Sequence, residues 1–83
     1  MTTAAESTLF DRIVEASGLA PLIAPFTVRR LLIRCNIIPP ETVTAEQLLH
    51  YLPAVGDGLS RFLNEEEHER AITSLRALAT ASR

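Results

Sequence analysis

Lysine and tryptophan are absent from this 83-residue chain, and cysteine occurs once, as Cys35. A single cysteine excludes an intramolecular disulfide and any zinc site built on the cysteines of one chain. Glycine occurs three times, at Gly18, Gly56 and Gly58, which is too few for a phosphate-cradling loop. Four residues are aromatic (Phe10, Phe26, Tyr51 and Phe62), so the core has to be aliphatic. Long hydrophobic runs are also missing. The most apolar stretch, "LAPLIAPFTVRRLLIRCNII", is cut by two prolines and three arginines and does not suit a membrane span. The opening "MTTAAESTLF" lacks the basic segment and apolar run of a secretory signal, so a cytoplasmic protein is expected.

What is present points to helices. The chain is 47% hydrophobic and 22% charged, the composition of a globular protein. Its apolar residues are mainly Leu, Ala, Ile and Val, and Leu and Ala are strong helix formers. The net charge of -2 does not suit a protein whose main task is neutralising phosphates.

Thr3 and Glu6 have capping-box spacing, and Gly18 is placed to follow a helix end; a helix is expected over about residues 3–17. Leu9, Phe10, Ile13 and Val14 would form its inner face. Pro21 and Pro25 punctuate the next stretch, and a second helix is expected over about 25–35, with Val28, Leu31, Leu32 and Cys35 inward. Pro39-Pro40 makes "NIIPPETV" a loop, from which Ile37, Ile38 and Val43 are expected to tuck into the core. Thr44 with Gln47 opens a third helix, with Leu48, Leu49 and Leu52 on its apolar face.

Pro53 then poses a choice. Either one long helix kinks there, or a helix over about 44–52 ends and a new one opens at Pro53 and runs to about Leu63. The second arrangement is the one adopted here, with Phe62 and Leu63 carrying its stripe into the core. Asn64 with Glu67 starts the last helix, about 64–80, with His68, Ala71, Ile72, Leu75, Leu78 and Ala79 inward. The expected architecture is all-α: one domain over residues 1–83, a compact bundle of four to five short helices.

Residues 47–63, "QLLHYLPAVGDGLSRFL", resemble a helix-turn-helix DNA reader in part, with Leu48, Leu52, Leu59 and Leu63 well spaced and Ser60-Arg61 suitably placed. The departures are Pro53 where the tight turn usually has Gly, and Leu49 where a small residue belongs. The "AVGDG" start offers no Arg, Lys, Asn or Gln to bases or phosphates, and "NEEEHE" follows. "GDGLS" invites comparison with the Asp-Ser-Leu of acyl carrier proteins, but Gly58 stands where the modified serine would be and Ser60 is out of register.

Catalytic and metal constellations are poor. His50, His68 and Cys35 have no i, i+3 or i+4 pairing, and Cys35 falls on an apolar helix face where a packed, inert thiol is expected. No elbow or oxyanion loop flanks Ser60. The expectation is no enzyme, no cofactor and no metal. The candidate site is the outer face of the second helix, where Arg29, Arg30 and Arg34 surround Ile33. Arginine beside an exposed apolar anchor is an interface pattern. A protein partner is expected, either another protein or a second copy presenting its "EEEHE" turn; the DNA-binding regulator using residues 47–63 is the alternative.

Overall fold

The computed structural model describes residues 8–81. Four α-helices follow one another: α1 (Leu9–Ala16), α2 (Ala24–Arg34), α3 (Ala45–Leu59) and α4 (Glu65–Ala81), with a 3-10 turn at Pro40–Thr42 between α2 and α3. No strand occurs among the described residues, and the helices form a compact all-α bundle.

Three of the helices open on reciprocal caps. The Thr8 hydroxyl accepts from the Asp11 amide (3.2 Å), and the Asp11 carboxylate accepts from the Thr8 amide (3.4 Å). Thr44 and Gln47 repeat the device at α3, and Asn64 and Glu67 at α4. The first of these differs from expectation: Thr8 is extended, so α1 starts at Leu9, and the start proposed at Thr3 and Glu6 lies outside the described residues. α2 has no side-chain cap; the backbone turn before it supplies the first acceptor, Ala20 O, to the Ile23 and Ala24 amides.

α2 ends on a Schellman motif. Asn36, at φ 68°, donates to Ile33 O (2.8 Å), and Ile37 donates to Leu32 O (3.0 Å). This returns Ile37 to the core beside Leu32, both of them buried. Ile38, expected in the core, is instead 68% exposed. Ile37 takes the inward position, the chain bends outward at Ile38 and Pro39, and Pro40 and Val43 are buried again.

The main correction concerns Pro53. No helix starts there; Pro53 lies inside α3, which ends at Leu59, so the expected helices over 44–52 and 53–63 are one. Leu48, Leu52, Val55, Gly56 and Leu59 form an unbroken buried stripe along it. Packing along that stripe outweighs the local cost of proline, roughly 3 kcal/mol in a helix interior. Pro53 is exposed, as are Leu49, His50, Ala54 and Asp57 around it, so the missing N–H falls on the side open to water. Leu49, expected on the apolar face, sits at its edge and is 38% exposed.

The glycines of α3 mark close approaches. A Cβ on Gly56 would lie 2.6 Å from Ile72 Cδ1, and a Cβ on Gly58 would collide with the Leu31 side chain. Gly56 thus lets α4 close onto α3, and Gly58 lets α2 do so. The Gly56 carbonyl also meets the His68 Nε2 at 2.7 Å. Every helix contributes at least one fully buried aliphatic side chain: Ile13, Leu32, Leu48 with Leu59, and Leu75. Each such burial is worth roughly 1.5–3 kcal/mol relative to exposure.

Candidate functional site

α2 presents its outer face to solvent. Ile23, Arg30 and Arg34 share one helical stripe at spacings of seven and four residues, with Ile33 at its edge. The turn after α3 comes alongside. Ser60 donates its hydroxyl to Asp57 O (2.6 Å), and Phe62 and Leu63 donate amides to Leu59 O (2.9 and 3.2 Å). These bonds wrap residues 60–63 into a turn rather than a further turn of helix, and Arg61 and Phe62 project toward α2.

Between the two lies an open groove of ≈ 670 Å³, walled by Ile23, Arg30, Ile33, Arg34, Arg61 and Phe62. Its floor is Leu31 against Gly58. Arg30, Arg34 and Arg61 make no ion pair among the described residues. Asp57 lines a smaller recess beside the groove together with Arg34 and Arg61, without pairing with either. Three guanidinium groups therefore converge on one apolar-walled groove in a chain of net charge -2.

Of the four expected site residues, the groove brings together Arg30, Ile33 and Arg34. Arg29 departs: it pairs with Glu41 on the 3-10 turn, so its charge is engaged inside the molecule. That pair is about half exposed on both sides and contributes at most about 1 kcal/mol.

Sequence reasoning missed three walls of the groove. Arg61 falls in the stretch that resembles a DNA reader, Phe62 is expected in the core, and Ile23 lies in the proline-punctuated stretch before the second helix, with no role expected of it. Phe62 is 53% exposed and Phe26 71% exposed. The chain has only three phenylalanines, and two of them stand outside a core that keeps Phe10. That scarcity was the available signal.

The other chemistry-bearing residues do not gather here. Cys35 lies on the inner side of α2, free and buried, and burial pushes its thiol pKa up. His50 packs edge-on against Tyr51, with ring centroids 4.7 Å apart, while His68 is half-buried against the Gly56 carbonyl. No group of three His, Cys, Asp or Glu side chains is placed to hold a metal ion among the described residues. No helix among them is long and apolar enough to cross a membrane. The two helices that a helix-turn-helix over residues 47–63 requires are the single helix α3 and a turn.

Compared with protein-family models, curated proteins and solved structures, the chain matches none.

Proposed function

We propose that this chain is a small helical protein–protein interaction module, adaptor or regulatory in kind and without catalytic activity. It docks an acidic helical segment against the outer face of α2. The observation that carries this reading is the groove itself: three arginines without carboxylate partners among the described residues, around exposed Ile23, Ile33 and Phe62. Arginine and aromatic side chains are the residue types enriched at the centres of protein interfaces. Their charge attracts an acidic partner, speeds encounter and selects its orientation. The apolar walls then provide the burial that holds it, as helix-in-groove recognition does elsewhere. A phosphate-reading role has less support, because the acidic start of α4 adjoins the basic wall and would repel a nucleic-acid backbone.

The test is photo-crosslinking in the cell of origin. A photoreactive residue replaces Phe62 in one version and Thr73, an exposed position outside the groove, in another. The expected result is protein cross-links from position 62 that are at least tenfold fewer from position 73. They should disappear when Ile33→Asp or Arg30→Glu is added and the helical content of the variant is unchanged. Equal cross-linking from both positions, or cross-links to nucleic acid, would sink the reading.

A further inference from the structure

We propose that the groove's occupant is the start of α4, Glu65 to Glu69, in a second copy of this chain, exchanged reciprocally about a two-fold axis. This rests on the docking role given to the groove above.

Charge spacing is the first argument. Arg30 and Arg34 are four residues apart on α2, and Glu65 and Glu69 are four apart on α4. On α-helices both pairs span the same ~6 Å, so the two ladders match. All four side chains are exposed, and neither ladder finds the other within its own chain. The neighbouring acids are already engaged: Glu66 faces Arg70 at 3.7 Å, and Glu67 caps Asn64 at 3.1 Å. Glu65 and Glu69 are left to look outward. Glu65, Glu66, Glu67 and Glu69 are also four of the chain's ten acidic residues, so its negative charge is concentrated beside its positive groove.

Adjacency is the second argument. Phe62 in the groove wall is three residues from Glu65, a distance of about 10 Å even if fully extended. The basic and acidic surfaces therefore lie side by side on one molecule. A two-fold rotation then satisfies both at once, the groove of each copy receiving the α4 turn of the other. Such an isologous contact closes on itself as a dimer, whereas a head-to-tail contact would build a ring or an open chain. Phe62 lies between the two surfaces, nearest the axis, where it meets its own counterpart. Ile23 and Ile33 are covered by the incoming turn.

The test is sedimentation equilibrium across concentration and salt on three proteins: the wild type, Arg30→Glu with Arg34→Glu, and Glu65→Arg with Glu69→Arg. The wild type is expected at twice its 9.1 kDa mass, falling to monomer as salt is raised. Each charge-reversed protein alone should be monomeric, its dissociation constant raised on the order of a hundredfold. An equimolar mixture of the two should return to the dimer, because the reversed groove then faces the reversed turn at one contact and the unaltered groove faces the unaltered turn at the other. Should arginine at the start of α4 unfold the chain, Glu65→Gln with Glu69→Gln replaces it, and about a tenfold weaker dimer is expected. The proposal is overturned by a wild type that stays monomeric, by a mass that grows past the dimer, by a mixture of folded variants that stays monomeric, or by glutamine variants that dimerise unchanged. A monomeric wild type that still cross-links from position 62 leaves the docking role intact with another protein in the groove.

Discussion

α3 and α4 form the most extensive helix–helix contact among the described residues, and the large apolar side chain they leave exposed is Leu49, at 38%. The segment leading into and through α2 exposes Leu22, Ile23, Phe26 and Ile33. The α3–α4 pair also carries two side-chain caps and a glycine placed for close approach, while α2 begins without a side-chain cap. The contrast separates residues kept for folding from residues kept for something else. Where apolar side chains could be turned inward, along α3 and α4, they are. Where they stand outside, Ile23 and Ile33 line a groove with three arginines that make no ion pair among the described residues. Apolar groups exposed together as one patch, unlike residues scattered singly, mark interaction surfaces.

Substitutions can break this contrast, beginning with the seam. Leu75 is fully buried in α4, and Leu75→Ala should lower unfolding free energy by about 3 kcal/mol, a large share of what so small a domain has. Urea denaturation followed by circular dichroism reads it, and a loss under about 1 kcal/mol would mean the seam is looser than described. Gly56→Val comes next. Its side chain meets Ile72 and lies near His68, and overpacking there should cost about 2 kcal/mol. A neutral result by the same denaturation would show that Ile72 swings away freely. The smallest effect belongs to α2: Phe26→Ser should change stability by less than about 0.5 kcal/mol, because the ring is already in water. A loss comparable to that of Leu75→Ala would erase the distinction between the two regions.

The sequence made the elements more legible than their assembly. Capping boxes at Thr44 with Gln47 and Asn64 with Glu67 are local, so spacing alone located the starts of α3 and α4. The inward stripe of α2, from Val28 to Cys35, followed from period alone. Pro53 was misread because its local penalty is visible in sequence, while the buried stripe that overrides it is a tertiary quantity. The packing role of Gly56 and Gly58 appears only once Ile72 and Leu31 are known to lie against them. For the groove, the α2 half was readable as arginines around Ile33. The other half depends on how the turn at residues 60–63 falls beside α2, and no periodicity reports that. Arg29 and Arg30, adjacent in sequence, have different duties for the same reason: one faces Glu41 and the other the groove.

The contact at Gly58 also bears on how recognition could be retuned. Because α3 offers no side chain there, the depth of the groove is governed from one side, by the bulk of Leu31. Valine at that position would deepen the floor by about a methylene without removing any of the arginines around it. Shape and charge at this surface are therefore separately adjustable, and selectivity among acidic helices of different girth could be recut through a single uncharged residue.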